Sequence, residues 1–190
     1  MGFAETRWAS LVNHANGSGP AVGSRDAVRG IDGGVRKGRS GELIFQYALR
    51  GEVSRVRVPA VQQVPARADG LWKHTCFEAF IADPALPGYH EINFSPSRQW
   101  AAYRFSGYRE GMTPAEVTAA PVIDVRRFDD RLELEATLHL ASLHSAPTLK
   151  LALTAVVEDE SGTLSYWALR HAPGNPDFHH PHGFVLELTL

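Results

Sequence analysis

Cysteine is nearly absent from this sequence, since Cys76 is the only one in 190 residues. An internal disulfide is therefore impossible, which fits a reducing compartment, and we expect a cytoplasmic protein. A chain of this length buries roughly 70% of the surface that its unfolded state exposes, so it can fold without disulfides or a structural metal. All-β chains of about 200 residues commonly form one domain, and we expect one here.

The chain also lacks an excess of charge and any long apolar run. Its formal net charge is −2, which creates no field that would attract nucleic acid or an acidic membrane surface. No run approaches the roughly 18 apolar residues of a membrane span. Residues 1–13 contain charges and no apolar core of the kind that a secretory signal needs. We expect neither a nucleic-acid partner nor a membrane anchor.

Long segments of helical periodicity are missing as well, and short runs of period two replace them. The first has Leu43, Phe45, Tyr47 and Leu49 on one face. Further strand-like runs, separated by turn-forming residues, cover residues 75–81, 89–94, 99–105, 132–140, 149–155, 163–169 and 184–190. About nine short strands without crossover helices predict an all-β fold, an antiparallel two-sheet β-sandwich.

Regular structure is not expected near the N-terminus. Residues 15–41 hold eight glycines, a composition that favours a mobile loop. We therefore predict an N-terminal segment, residues 1–41, followed by the folded domain, residues 42–190. Only residues 141–145 and the first dozen residues are expected to form brief helices.

Polar and aromatic residues are concentrated on two consecutive predicted strands. Glu91 and Asn93 share one face of the strand at residues 89–94, and Tyr103 lies on the next strand. If the two strands form a hairpin, these three side chains converge on one surface. Such a mixture suits sugars, whose C–H faces stack on aromatic rings and whose hydroxyl groups need buried partners. A structural hydrogen-bond network between the strands is the alternative.

Three motifs occur in order along the chain. Trp72 precedes a strand that carries Glu78, Tyr-x-Glu-x-Asn-x-Ser-Pro occupies residues 89–96, and Asp-Phe-His occupies residues 177–179 before the closing strand. In combination they resemble the DOMON-like β-sandwich proteins, relatives of the family-nine carbohydrate-binding modules and of the haem-binding DOMON domains. The resemblance runs from about Leu43 to the C-terminus and implies binding of a small ligand, a saccharide or haem.

The two branches of that resemblance imply different sites. In the carbohydrate-binding relatives a pair of tryptophans grips the sugar, and the corresponding candidates here are Trp72 and Trp167, although core packing is the alternative for both. The polar contacts would be Glu78, Glu91, Asn93 and Tyr103. In the haem-binding relatives Met and His hold the iron, which would assign Met112 together with His171 or His179. An interaction module without any small ligand is a third possibility.

Metal binding and catalysis are not expected. His171, His179, His180 and His182, with Asp177, have no spacing typical of a zinc site, and adjacent histidines in an extended segment point in opposite directions. Common enzyme motifs, such as Gly-x-Ser-x-Gly, are absent from the sequence. Glu78 and Glu91 could act as a glycosidase pair, which requires carboxyl groups about 5–9.5 Å apart. We predict a non-catalytic binding protein with no firmly implied cofactor.

Overall fold

The computed structural model describes residues 5–14, 27–39, 41–117, 119–139 and 147–190. Three short 3-10 helices occur in these ranges, at Val53–Arg55, Leu71–Lys73 and Pro181–Gly183. None of the described helices is long and apolar enough to cross a membrane. The described strands are β1 (Arg7–Asn13), β2 (Val28–Lys37), β3 (Leu43–Gly51), β4 (Cys76–Ala82), β5 (Tyr89–Phe94), β6 (Trp100–Phe105), β7 (Thr113–Pro114), β8 (Val122–Arg127), β9 (Arg131–Leu138), β10 (Thr148–Glu158), β11 (Leu164–Ala168) and β12 (Leu186–Thr189).

All of these strands pair antiparallel in one continuous sheet. Its order is β7-β6-β5-β4-β10-β11-β1-β2-β3-β9-β8, with β12 beside β10. The prediction of an all-β antiparallel fold is confirmed, whereas the prediction of two separate sheets is not. Strand β1 joins what would otherwise be two sheets, because Leu11 pairs with Ile31 of β2 and Val12 pairs with Ala168 of β11. We call the two parts the β3 half (β2, β3, β8, β9) and the β4 half (β4 to β7 and β10 to β12).

The main core lies where the two halves face each other. Phe45 of β3 contacts Phe94 of β5 at a ring-centroid distance of 5.5 Å, and Tyr47 stacks on Phe77 of β4 at 4.9 Å. The Tyr47 hydroxyl donates a hydrogen bond to the Glu78 carbonyl at 2.7 Å. Large buried aromatic residues contribute much of the apolar area that stabilises such a core. The contact between Tyr47 and Phe77 shows which face of β4 points toward the main core and which points outward.

The outward face of the β4 half is also apolar. Phe80, Tyr89, Tyr103 and Phe105 are buried in a second cluster, which lies under the loop residue Phe178. Strand β4 is therefore buried on both faces, with Ala79 and Ile81 in the main core and Glu78 and Phe80 on the outer side. This second cluster forms the base on which the candidate site is built.

The predicted boundary at residue 42 has to be corrected. Strands β1 and β2 belong to the same sheet as the rest of the domain, and residues 7–13, expected to be helical, form β1. The glycines of β2 allow close packing: a Cβ at Gly33 would lie 3.1 Å from Leu153 Cδ1, and one at Gly34 would lie 2.9 Å from Trp8 Cδ2. These glycines make room for neighbouring side chains and do not form a loop.

Most of the predicted strands are present with small shifts at their ends. The last one begins at Leu186, since the 3-10 helix Pro181–Gly183 precedes it. Besides β1 and β2, two further described strands, β7 and β8, were not predicted. The helix expected at residues 141–145 and the part of the predicted loop at residues 15–26 lie outside the described residues.

Candidate functional site

A cleft of about 630 Å³ opens on the outer face of the β4 half. Its volume falls within the range of about 300–1,000 Å³ that is typical of small-molecule sites. Two acidic side chains, Glu78 and Glu91, line its floor. Its walls are largely aromatic and comprise Trp72, Phe80, Phe105, Tyr166 and Phe178.

Glu78 and Glu91 reach this floor from adjacent strands. Glu78 pairs with Asn93 across β4 and β5, while Glu91 lies two residues before Asn93, so both carboxyl groups lie on the same face. Only 3% of Glu78 and 6% of Glu91 is exposed. The Thr154 hydroxyl donates to Glu78 Oε2 at 3.2 Å, and Asn93 Nδ2 donates to Glu91 Oε1 at 2.8 Å. The two acids are thus a buried pair at the base of the cleft.

This pair has a strong tendency to hold protons. Burial raises the pKa of Glu78 well above its usual value, and the nearby Glu91 carboxylate raises it further. Burial also raises the pKa of Glu91, although the hydrogen bond from Asn93 and the charge of Arg109 act against it. Two like charges in a site of low polarity do not both ionise readily. Perturbed carboxyl groups in a cleft are a common mark of a functional site.

Asn93 and Tyr103, predicted as direct contacts, lie behind the residues that line the cleft. Asn93 is fully buried and orients Glu91 through the hydrogen bond just described. Tyr103 donates to Asp69 and packs edge-on against Trp72, with ring centroids 6.1 Å apart. In this arrangement both side chains support cleft residues.

Trp72 forms one wall of the cleft and remains 38% exposed. It sits in the 3-10 turn Leu71–Lys73, and Gly70 precedes that turn with φ at 74°. This left-handed conformation is strained for residues with a side chain, so glycine is the suitable residue there. An exposed indole held in place by a fixed turn and by Tyr103 is a suitable stacking surface for a ligand.

Trp167 does not share that position. It is 7% exposed, packs in the main core, and donates from Nε1 to Ser165 Oγ at 3.0 Å. The alternation of strand β11 explains the difference: Tyr166 pairs with Val156, and both line the cleft, whereas Trp167 pairs with Ala155 on the core side. The structure therefore places Tyr166, and not Trp167, in the cleft with Glu78 and Glu91.

A polar cluster closes another side of the cleft. Arg109 Nη2 lies 2.7 Å from Asp177 Oδ1, and the Tyr108 hydroxyl donates to the same carboxylate. Asp177 Oδ1 also accepts from the backbone nitrogen of His179 at 3.1 Å. Although burial acts to raise the pKa of Asp177, the hydrogen bonds from Tyr108 and Arg109 lower it. The ion pair ties the turn at residues 106–111 to the loop at residues 173–180.

His179 is a neutral residue of the cleft wall. Burial and the charge of Arg109 lower its pKa to about 4. The Tyr89 hydroxyl accepts from the Arg109 backbone nitrogen at 3.2 Å and lies 2.8 Å from His179 Nδ1. The hydroxyl has one hydrogen and two acceptor positions, so it can pair with either tautomer of the neutral ring. On the other side of the ring, His179 Nε2 lies 3.7 Å from Glu91 Oε2.

The predicted haem ligands are only partly brought together. Met112 and His179 line the same cleft, but His171 lies elsewhere, with Nε2 2.8 Å from the Val12 carbonyl oxygen. An axial imidazole needs an unprotonated nitrogen that is free to coordinate. In His179, Nδ1 is already hydrogen-bonded with the Tyr89 hydroxyl, and Nε2 faces Glu91 Oε2 at 3.7 Å. The cleft therefore brings Met112 together with one of the two predicted histidines, and that histidine is already engaged by Tyr89.

The remaining histidines of the C-terminal motif form no shared site with the predicted haem ligands. The His180 and His182 rings contact each other at 4.5 Å, and His182 donates its backbone N–H to His180 Nδ1 at 3.2 Å. In the part of the chain that is described, no three His, Cys, Asp or Glu side chains are grouped so as to hold a metal ion.

Several cleft residues were not selected from the sequence. Phe80 and Tyr166 share a face with Glu78 through strand pairing, and this could have been deduced once the inward face of β4 was known. Arg109 and Phe178 come from loops, and period two gives no information about loop positions. His179 was selected only as a haem or metal ligand.

No protein-family model matches the chain, and no curated protein matches it either. Among solved structures, it is similar to a proposed carbohydrate-binding protein from Bacteroides uniformis, with a TM-score of 0.66 and 16% identity over 96% of this chain and 85% of that one. It is also similar to a family 9 carbohydrate-binding module from Caldicellulosiruptor kristjanssonii, solved in complex with cellotriose, with a TM-score of 0.54 and 11% identity over 97% and 82% of the two chains. At these identities the similarity defines the fold.

Proposed function

We propose that this protein binds a saccharide in the cleft of the β4 half and does not transform it. The observation that carries the proposal is the combination of an exposed indole, Trp72, with the buried acids Glu78 and Glu91 in one cleft of about 630 Å³. A sugar ring has apolar C–H faces and polar edges. The aromatic walls suit the faces, and the acids, with the polar ring of His179, suit the hydroxyl groups.

The fold supports the same assignment by analogy. The two similar structures carry a carbohydrate-binding description, and one of them holds cellotriose. Fold analogy alone does not establish a function, because a single fold serves many functions. The cleft chemistry of this chain is therefore the stronger argument, and the analogy suggests which ligands should be tested first.

The test is a titration calorimetry series with glucose, cellotriose and a panel of other mono- and disaccharides. Trp72→Ala should weaken binding of any saccharide ligand at least about tenfold, a loss of about 1.4 kcal/mol. Trp8→Ala is the matched control, because Trp8 is 52% exposed on the outer face of β1, away from the residues that line the cleft. The control should leave the affinity unchanged. The ligand should be recovered chemically intact after prolonged incubation.

Two outcomes would overturn this proposal. If Trp72→Ala and the unsubstituted protein bind the ligand with equal affinity, the cleft is not the binding site. If no sugar of the panel binds, the ligand is not a saccharide of this kind. Hydrolysis of a glycoside that is lost in Glu78→Gln would instead make the acid pair catalytic.

Haem is the second candidate ligand, since Met112 and His179 line the same cleft. An absorption titration with haem separates the two proposals. A Soret band that Met112→Leu shifts would favour haem, despite the hydrogen bonds that engage His179. A spectrum of free haem throughout the titration would favour the saccharide.

A further inference from the structure

The acid pair at the floor of the cleft has one cation nearby, Arg109, whose charge acts on Glu91, but no direct cationic partner among the described residues. Glu78 and Glu91 are each more than nine-tenths buried, and neither forms an ion pair with a lysine or an arginine in that part of the chain. Among the described residues Thr154 donates to Oε2 of Glu78 and no donor to Oε1 is found, and Oε1 is not one of the fully buried polar atoms that lack a partner, which is consistent with its facing the cleft. Buried carboxyl groups are normally paired with a cation or fully hydrogen-bonded, so a cationic ligand in the cleft would complete the surroundings of this pair.

We propose that the ligand of this cleft is an amino sugar, whose ammonium group binds between the carboxyl groups of Glu78 and Glu91. This inference depends on the proposed saccharide site and specifies its ligand class. The ammonium group would donate to the free Oε1 of Glu78 and to Glu91, while the ring of the sugar stacks on Trp72.

The cationic residues near the cleft do not replace such a ligand. The Arg109 guanidinium is bonded to Asp177 through both Nε and Nη2, at 3.2 and 2.7 Å. The His179 ring, with its pKa lowered to about 4, carries no charge at neutral pH, and its Nε2 lies 3.7 Å from Glu91 Oε2. Lys73 is exposed where it lines the cleft and forms no ion pair with either acid within the described ranges. Arg109 therefore already neutralises a different acid, Asp177.

The physical reason for a cation is the cost of the buried pair. Two neighbouring carboxyl groups in a poorly solvated site do not both ionise unless a positive charge accompanies them. An ammonium group supplies that charge and three hydrogen-bond donors. The aromatic walls around it, Trp72 and Tyr166 in particular, add cation–π attraction. A neutral sugar offers hydroxyl groups but no charge, so it leaves the pair protonated.

This difference predicts a change in bound protons. Because the pKa of each acid is raised, the pair in the free protein holds more protons at a given pH than the unperturbed groups would. Binding of an ammonium ion favours the fully ionised pair, and the excess protons pass to the buffer. Binding of a neutral sugar needs no such release. Calorimetry in two buffers with different ionisation enthalpies measures the number of protons released per ligand bound.

The experiment compares glucosamine, glucose and N-acetylglucosamine, which differ only in the substituent on C2. Glucosamine should bind at least about tenfold more tightly than the other two at about pH 6, where its amino group is already an ammonium ion, with proton release that the neutral sugars lack. Glu91→Gln and Glu78→Gln should each lower the affinity for glucosamine by more than they lower the affinity for glucose. Glu116→Gln, at an exposed position away from the cleft, is the control for removing a negative charge and should change neither affinity.

The outcomes separate this inference from the function on which it depends. If glucose binds as tightly as glucosamine, or if glucosamine binds without releasing a proton, the ammonium site is wrong and the saccharide site stands. If none of the three sugars and none of the wider panel binds, both fail. The proton count uses the unsubstituted protein, so the test remains valid even if the Gln variants fold poorly.

Discussion

At the scale of single residues, the two tryptophans that the resemblance paired have different environments. Trp72 is part of the cleft wall, whereas Trp167 packs in the main core. Replacing Trp167 by alanine should therefore lower the free energy of unfolding by about 3–5 kcal/mol, because a large buried side chain is lost and a cavity remains. Denaturant unfolding followed by circular dichroism measures the change.

Trp8→Ala provides the comparison for that measurement, since Trp8 is 52% exposed and surface substitutions usually change stability by about 0.5 kcal/mol or less. A Trp167→Ala protein with normal stability and lost ligand affinity would show that Trp167 is a binding residue after all.

Cys76 shows how burial controls reactivity at the same scale. Its side chain is fully buried, and burial, followed by the nearby Glu78 and Glu91, raises the pKa of its thiol well above the usual value. Because the thiolate is the reactive form, the folded protein should not react with a thiol-specific disulfide reagent over minutes, whereas the denatured protein should react fully. Absorbance of the released thiol reports the reaction. Rapid modification of the folded protein at neutral pH would contradict the burial of this residue.

At the scale of the strands, the sequence was informative wherever one face of a strand differs from the other. The predicted strand at residues 89–94 coincides with β5, and the alternation of residues 42–50 gave β3 within two residues. Strand β2 was missed because three glycines lie within it, Gly30, Gly33 and Gly34. Glycine has no side chain to reveal periodicity, so the partner strands, which the sequence does not display, decide its conformation.

The packing of Gly33 can be tested directly. Gly33→Val should lower the free energy of unfolding by about 1–3 kcal/mol, since the added groups would crowd Leu153 and Leu11, which lie 3.1 and 3.3 Å from the position of a Cβ. Gly30→Ala in the same strand is the control, because nothing lies within 4 Å of a Cβ there. That variant should be neutral or slightly stabilising. Equal effects of the two substitutions would exclude a steric role for Gly33.

The sequence was informative about the candidate site to a similar extent. Glu78, Glu91 and Trp72 were selected from the sequence and do line one cleft. Whether Asn93 contacts a ligand or supports Glu91 depends on how deeply its side chain is buried. The alternation of side chains along a strand shows which face a residue lies on, but not how deeply it is buried. Tyr166 and Trp167 are adjacent in sequence, and only the pairing of β11 with β10 decides which of them faces the cleft.

At the scale of the whole molecule, the halves of the sheet divide structural and binding roles. The inner faces of both halves form the main core, and the outer face of the β4 half carries the cleft. The similarity to solved structures supports the relation to carbohydrate-binding modules at the level of the fold. The relation to DOMON-like proteins stays a prediction, as does the cytoplasmic location.

The buried acids should also affect how global stability depends on pH. A carboxyl group whose pKa is raised in the folded state binds more protons there than in the unfolded state, over the range from its unfolded pKa up to its folded one. Stability therefore falls as the pH rises through that range. His179 has the opposite effect: with a folded pKa of about 4 against an ordinary value of 6.5, it lowers stability as the pH falls between those values.

Glu78→Gln isolates the contribution of the acid, because His179 is present in both proteins and its effect cancels in the difference. The free energy of unfolding of Glu78→Gln minus that of the unsubstituted protein should increase as the pH rises above 4.5, the ordinary value for this carboxyl group. The slope can reach about 1.4 kcal/mol per pH unit for one proton and levels off above the folded pKa. Denaturant unfolding at a series of pH values measures it. The exposed Glu116→Gln should give a nearly flat difference, and a flat or falling difference for Glu78→Gln would mean that Glu78 is not held protonated by the fold.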